Sequence, residues 1–135
     1  MDSQQVTSEV PESDVRTLVV DDSEAFLEVA ADVLGATPGF VSVGVVSSPD
    51  AALGLLVSRE PGLAIIDVHM PQMDGLELTR RFKELRPETA VALISADDPE
   101  HLPPGVRDSK ADAVIDKRHF GPRWLRSLLP RLASH

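Results

Sequence analysis

The chain of 135 residues contains no cysteine, which excludes disulfide bonds, thiolate metal sites and cysteine nucleophiles. Positive charge is also scarce, since 13 Lys and Arg stand against 22 Asp and Glu and give a net charge of −9. No basic run interrupts this pattern, and an acidic surface repels phosphate backbones. We therefore expect no direct binding to nucleic acid.

Long apolar runs are missing as well. No stretch approaches the roughly 20 apolar residues that are needed to span a bilayer. The first 14 residues have neither the positive charge nor the apolar centre of a signal peptide. We expect residues 1–15, which are polar and acidic, to form a disordered leader, and residues 16–135 to form one cytoplasmic domain.

Short apolar runs alternate with segments of helical periodicity from residue 16 onwards. The runs are nearly continuous rather than alternating, which is typical of parallel strands that are buried on both faces. Five such strands with intervening helices predict a doubly wound α/β domain. The predicted strands are residues 17–20, 40–46, 63–66, 90–94 and 113–115.

The helix boundaries carry recognisable signals. Ser48 followed by Pro49 predicts a helix start, and Asp74 predicts a second one with Glu77 reaching back in a capping box. Leu78, Phe82 and Leu85 would form the apolar stripe of that helix. In the closing helix, Pro130 should bend the helix or shorten its regular part.

One predicted helix is doubtful on chemical grounds. A helix is expected between the fourth and fifth strands, but Pro99, Pro103, Pro104 and Gly105 all fall in that segment. Proline costs about 3 kcal/mol in a helix interior. We therefore expect this fourth helix to be short or irregular.

Several polar residues follow the strands directly. Asp21 and Asp22 follow the first strand, Asp67 ends the third, Ser95 ends the fourth, and Lys117 follows the fifth. Ligands of an open parallel sheet bind at this edge, outside the carboxyl ends of the strands. Three carboxylates suit Mg²⁺, and Lys117 adds a second positive charge. The set fits in-line phosphoryl transfer to Asp67 as a carboxylate nucleophile.

With these residues in place, the chain resembles a bacterial two-component response-regulator receiver domain of the chemotaxis type. The match runs through residues 18–22, then residues 67–75 as D-x-x-M-P-x-M-D-G, then Ser95-Ala96 and Lys117. It covers residues 16 to about 132. The resemblance implies a flavodoxin-like sheet with strand order 2-1-3-4-5.

The resemblance also implies a role for each matched residue. Asp67 would accept the phosphoryl group, while Ser95 and Lys117 would contact it from two sides. Mg²⁺ would be bound by Asp22 and Asp67, by Asp21 through water, and by the backbone carbonyl of His69. The donor would be a sensor histidine kinase or a histidine phosphotransfer protein. Such a domain is no enzyme beyond its own phosphorylation and dephosphorylation.

Three features depart from the family pattern. Val114 stands where receivers usually carry an aromatic residue, which rotates inward on phosphorylation, and Arg118 stands where proline is common. Together with the proline-rich segment, they predict a read-out that differs from the common route. Output would pass through contacts with an unknown protein target, and a homodimer is left open. The side chain of His69 lies beside the expected pocket, and we hypothesise that it tunes phosphoryl loss.

Other functions remain as alternatives. A receiver-like adaptor without phosphorylation would keep the fold. A phosphatase of the haloacid-dehalogenase type would need an aspartate where His69 stands. A flavodoxin-like binder would need a phosphate-cradling loop in place of Asp21-Asp22-Ser23-Glu24. We expect either a stand-alone receiver or one cut from a longer regulator, because the sequence ends soon after the last predicted helix.

Overall fold

The structure is a computed structural model that describes residues 14–72, 74–97, 102, 104–106 and 108–133. Its strands are β1 (Val15–Val20), β2 (Phe40–Val46), β3 (Leu63–Asp67), β4 (Ala90–Ser95) and β5 (Ala113–Asp116). Its helices are α1 (Glu24–Ala36), α2 (Pro49–Arg59), α3 (Gly75–Leu85) and α4 (Pro122–Ala133), with a 3₁₀ turn at Lys117–His119. In the part of the chain that is described, no helix is both long and apolar enough to cross a membrane.

All five strands are parallel, and their order is β2-β1-β3-β4-β5, which confirms the doubly wound sheet and its order. Successive side chains of a strand point to opposite faces. Leu18 and Ile66 therefore pack with α2 and α3 on one face, whereas Val19 and Ile65 pack with α1 and α4 on the other. Covering both faces explains the continuous apolar runs.

The predicted helix starts are largely confirmed. The Ser48 hydroxyl accepts a hydrogen bond from the backbone N–H of Ala51, and Pro49 begins α2. The Asp74 carboxylate accepts one from the N–H of Glu77 at 2.8 Å. The reciprocal half of the capping box was wrong, because the Glu77 carboxylate binds Arg80 and Arg81 instead. Two guanidinium partners outcompete one backbone N–H for the carboxylate.

Two other helix predictions need correction. Leu85 is 59% exposed rather than part of the buried stripe, and the buried face of α3 includes Leu78 and Phe82. Pro130 does not shorten α4, which continues to Ala133. Proline has no N–H, so Pro130 removes one backbone hydrogen bond from α4, but the helix continues for three residues beyond it.

The segment between β4 and β5 has turns where a helix was expected. Residues 104–106 and 108 lie in turns, and no α-helix is formed by the described residues of this segment. Leu102 and Val106 nevertheless pack against the core beside Leu76. Residues 98–101, with Pro103 and Arg107, lie outside the described part. Most of the predicted leader, residues 1–13, also lies outside it, whereas Val15 belongs to β1.

Candidate functional site

Three carboxylates meet at the carboxyl edge of the sheet. Asp67 is the last residue of β3 and is 6% exposed, and Asp21 follows the neighbouring strand β1 and is fully buried. Asp22 is exposed beside them. One carboxylate oxygen from each of the three residues lies within 4.8 Å of the others. The sheet register therefore produces a compact acidic pocket.

Backbone N–H groups fix two of these carboxylates. Asp21 Oδ1 accepts a hydrogen bond from the N–H of Ser23 at 2.8 Å, and Asp67 Oδ1 accepts one from the N–H of His69 at 3.2 Å. Each bond spans two residues and closes the turn that follows the strand. The second oxygen of each carboxylate is left facing the pocket.

Lys117 brings a cation to these oxygens. Its Nζ lies 2.8 Å from Asp21 Oδ2 and 4.0 Å from Asp67 Oδ2. It also lies 4.6 Å from the ring centroid of Phe26, within the range of a cation–π contact. The side chain is 21% exposed. The ammonium is therefore held between a carboxylate pair and an aromatic face.

One lysine does not balance three carboxylates. Burial, and then the charge of Asp21, raise the pKa of Asp67 to about 6, while the His69 N–H and Lys117 oppose the rise. Asp21 Oδ2 is buried and accepts no directional hydrogen bond from the described residues, despite its ion pair with Lys117. A buried carboxylate oxygen of this kind calls for a further cation or an ordered water.

The donor set fits a hard divalent cation. It consists of carboxylate oxygens, the ligands that Mg²⁺ prefers, and the exposed Asp22 leaves room for retained water. No histidine or cysteine ligand competes within this cluster of described residues. The chemistry of these residues therefore matches Mg²⁺ better than a soft transition metal.

Ser95 and His69 border the pocket. Ser95 follows Ile94, which pairs with Asp67 across the sheet, and its hydroxyl accepts a hydrogen bond from the N–H of Asp97. The His69 ring is 60% exposed, and its Nε2 lies 2.7 Å from Asp97 Oδ2. His69 and Asp97 together link the loop after β3 to the loop after β4. Sequence reasoning missed this link because it joins residues 28 positions apart.

The backbone around Lys117 is held by a neighbour that the sequence analysis did not single out. The Asp116 carboxylate accepts a hydrogen bond from the N–H of Arg118 at 2.9 Å and also binds the Arg118 guanidinium. These bonds lower the pKa of Asp116 below its usual range. An aspartate two residues before an N–H donor is a common local cap, so its position at 116 was a readable signal.

Gly75 permits the chain to turn from β3 into α3. Its N–H donates to the carbonyl of Val68 at 2.8 Å, and a Cβ at this position would lie 2.1 Å from the carbonyl oxygen of Asp67. Only glycine fits such a close backbone approach. Gly75, the last residue of the D-x-x-M-P-x-M-D-G motif, thus allows the close backbone turn beside Asp67, the first residue of the motif.

The pocket lies where the predicted site residues were placed. The structure brings Asp21, Asp22, Asp67 and Lys117 together and puts Ser95 on the adjacent strand, one position beyond the residue that pairs with Asp67. Val114 lies on edge strand β5 and is 43% exposed.

The fold and the site together define the class of the protein, which is a doubly wound α/β domain with an acidic pocket at the carboxyl edge of its sheet. The sequence model of the response regulator receiver domain matches residues 17–129. The chain belongs to this family, the receivers of two-component signal transduction.

Similar proteins agree with this assignment. A protein-glutamate methylesterase/protein-glutamine glutaminase of Anaeromyxobacter dehalogenans is 35% identical over 127 residues, which cover 89% of this chain and 37% of that protein. The signal receiver domain of an HD domain-containing protein from Pseudomonas fluorescens is 26% identical, with a TM-score of 0.76 and coverage of 90% and 99%. A CheY-like receiver from Methanospirillum hungatei shares the fold at 24% identity, with a TM-score of 0.77 and coverage of 90% and 96%. The chain thus spans little more than a third of the first relative.

Proposed function

We propose that this receiver domain accepts a phosphoryl group on Asp67 in a reaction that depends on Mg²⁺. The observation that carries the proposal is the position of the Asp67 carboxylate, buried at the end of β3 with two further carboxylates within 4.8 Å and Lys117 Nζ at 4.0 Å. A carboxylate that is already crowded by like charges needs cations before a phosphoryl group can approach. Lys117 supplies one of these cations.

Asp22, Asp67 and the His69 carbonyl would hold the metal, with Asp21 acting through a water molecule. When bound, the metal would neutralise phosphoryl oxygens and the carboxylates that face them. The buried Oδ2 of Asp21 supports this arrangement, because a metal-bound water would donate the directional hydrogen bond that this oxygen lacks among the described residues, beside its ion pair with Lys117. Mg²⁺ keeps several waters in protein sites.

The transfer itself is a displacement at phosphorus. A carboxylate oxygen of Asp67 forms the new O–P bond while the N–P bond to the histidine of the donor breaks. The imidazole leaves with the electron pair and takes a proton from solvent. Lys117 and the Ser95 hydroxyl would contact the transferred phosphoryl oxygens from two sides. The role of the protein is to position these groups and to compensate charge.

His69 would control how long the acyl phosphate lasts. Its imidazole is held by Asp97 beside the pocket, so it restricts the approach of water to the phosphorylated carboxylate. The link also connects the loop after β3 to the Ser95 loop. Loss of the imidazole would open this path.

The donor would be a sensor histidine kinase or a histidine phosphotransfer protein, and the output would pass to a protein target. Exposed Val114 on β5 supports a read-out other than inward rotation of an aromatic side chain. The same observation favours one second candidate, a receiver-like adaptor that binds its partner without phosphorylation.

Mass spectrometry of the intact protein tests the proposal. The chain is incubated with acetyl phosphate in Mg²⁺ or in EDTA, beside Asp67→Asn and a control, Glu84→Gln, at an exposed position on α3. We expect a gain of one phosphoryl group in wild type and in the control, with Mg²⁺ only, and none in Asp67→Asn. Absence of labelling while a known receiver is labelled in parallel would favour the adaptor. Labelling of Asp67→Asn would place the acceptor elsewhere.

A further inference from the structure

Three aromatic side chains form a row that leads away from the acidic pocket. The sequence has four phenylalanines, one tryptophan and no tyrosine, and two of these residues, Phe40 and Phe82, are buried in the core. The other three, Phe26, Phe120 and Trp124, are only partly buried and pack against one core cluster on the α1 and α4 face of the sheet. A chain that is poor in aromatic residues has therefore placed all of its partly exposed ones together. We call these three residues the aromatic row.

The members of the aromatic row contact one another in order, beginning at the pocket. The ammonium of Lys117 lies 4.6 Å from the ring centroid of Phe26. The rings of Phe26 and Phe120 meet edge to face with their centroids 5.2 Å apart, and the centroids of Phe120 and Trp124 are 5.9 Å apart. These separations lie within the range of favourable aromatic pairs. The contacts are therefore continuous from Lys117 to the third residue of α4.

Local hydrogen bonds hold the backbone of the aromatic row. The N–H of Phe26 donates to Ser23 Oγ, and the N–H of Ser23 donates in turn to Asp21 Oδ1. The N–H of Phe120 donates to the carbonyl of Lys117. The side chains, rather than these segments of backbone, are therefore the parts that can respond to a change in the pocket.

The aromatic row ends beside Val114. Trp124 and Val114 line the same open cleft between β5 and α4. Val114 stands where receivers usually carry an aromatic residue, and it is a short aliphatic side chain on the edge strand. The chain thus supplies an aromatic side chain to this surface from α4 instead of from β5.

We propose that the aromatic row reports phosphorylation of Asp67 to the surface of α4. The inference rests on the proposed function, since it begins with a phosphoryl group on Asp67. Lys117 Nζ lies 4.0 Å from Asp67 Oδ2, which is beyond hydrogen-bond distance. A phosphoryl group on Asp67 would draw the ammonium away from the Phe26 ring, because a charge-assisted hydrogen bond is stronger than a cation–π contact at a partly exposed site.

Movement of Lys117 changes what the Phe26 ring contacts. Lysine carries its charge on a flexible stem, and its ion pair with Asp21 at 2.8 Å can persist because Asp21 lies in the same pocket. The contact with Phe26 is therefore the one that is lost. Without the ammonium, the Phe26 ring repacks against Phe120, and the contact between Phe120 and Trp124 adjusts in turn.

The fluorescence of Trp124, the single tryptophan of the chain, measures the far end of the aromatic row. Wild type is labelled with acetyl phosphate and Mg²⁺, and the change in emission is divided by the extent of labelling from intact-protein mass. We expect an emission change that grows in step with labelling, and none in Asp67→Asn. Absence of labelling would remove the proposed function and this inference with it. Labelled wild type with unchanged emission would overturn this inference alone.

Substitutions within the aromatic row separate transmission along the row from general packing. Phe26→Leu keeps an apolar side chain but offers the ammonium no aromatic face, so it should lose most of the emission change per labelled molecule. Phe120→Leu breaks the next contact and should have the same effect. Phe26→Tyr keeps the aromatic face and should retain the change, with excitation chosen where tyrosine does not absorb.

Phe40→Leu is the matched control. It makes the same change in the same core cluster, but Phe40 pairs with the first residue of β1, at the edge of the sheet opposite the pocket. It should keep the full emission change per labelled molecule, and far-UV circular dichroism shows which variants are folded. A full change in folded Phe26→Leu, or an equal loss in Phe40→Leu, would overturn the inference. Were Phe26→Leu unfolded, a full change in Phe120→Leu would still overturn it.

Discussion

Replacing Asp67 with asparagine should stabilise the metal-free protein at neutral pH. The carboxylate is 6% exposed, and the raised pKa of about 6, against an ordinary 3.8, means that the folded state holds the proton more tightly than the unfolded chain. The stabilisation that this tightly held proton contributes is therefore fully present below about pH 4, and it is lost as the pH rises through about 6. Asparagine keeps the shape and the hydrogen bond from His69 but removes the charge.

The size of the effect follows from the same values. A rise of about two pKa units corresponds to about 3 kcal/mol, and water in the open pocket reduces this to about 1–3 kcal/mol. In EDTA at pH 8, Asp67→Asn should exceed wild type by that amount in free energy of unfolding. At pH 4 the two should be equal within error. Mg²⁺ at ten times its Kd should restore about 1.4 kcal/mol to wild type only.

Urea unfolding followed by far-UV circular dichroism at pH 4, 6 and 8 measures these differences. Glu84→Gln, which removes an exposed carboxylate from α3, serves as the control and should follow wild type. Equal pH profiles for wild type and Asp67→Asn, or a less stable Asp67→Asn at pH 8, would refute the electrostatic reasoning. If Mg²⁺ stabilised Asp67→Asn as strongly as wild type, the Asp67 carboxylate would not be a ligand of the metal.

Three further outcomes are expected. Gly75→Ala should lose about 2–4 kcal/mol in urea unfolding because its Cβ collides with backbone, whereas Gly54→Ala, with open space in α2, should gain about 0.5–1 kcal/mol. Phe82→Ala should lose about 3–5 kcal/mol by opening a core cavity, and Leu85→Ala, mostly exposed, less than about 0.5 kcal/mol. His69→Ala should lose its phosphoryl group several-fold faster in a mass-spectrometric time course, and an unchanged rate would show that the imidazole does not shield it.

The edge of the sheet was predictable because parallel strands place their carboxyl ends together. The strand boundaries and this rule are enough to predict that Asp21 and Asp67 lie in one pocket. The proline-rich segment was also predictable as irregular, since proline removes a donor and clashes with the preceding turn. The side chains that fill that region were not predictable, because their packing depends on the sheet beneath them.

Exposure within a helical pattern was harder to predict. Periodicity identifies a face, but it does not say which residues of that face become buried, and both Leu85 and Val29 stay more than half exposed. The link between His69 and Asp97 depends on how two loops approach, which no local pattern encodes. The bond from Arg118 to Asp116 was local and could have been expected from the sequence.

The Asp116 cap has a consequence for redesign. The turn after β5 depends on an N–H donor at Arg118, and proline has no N–H. A proline here would make the chain look more like its family while removing the hydrogen bond that shapes the turn carrying Lys117. In this receiver the commoner residue would be the damaging one, so a substitution chosen by family frequency at this position would displace Lys117 from the pocket.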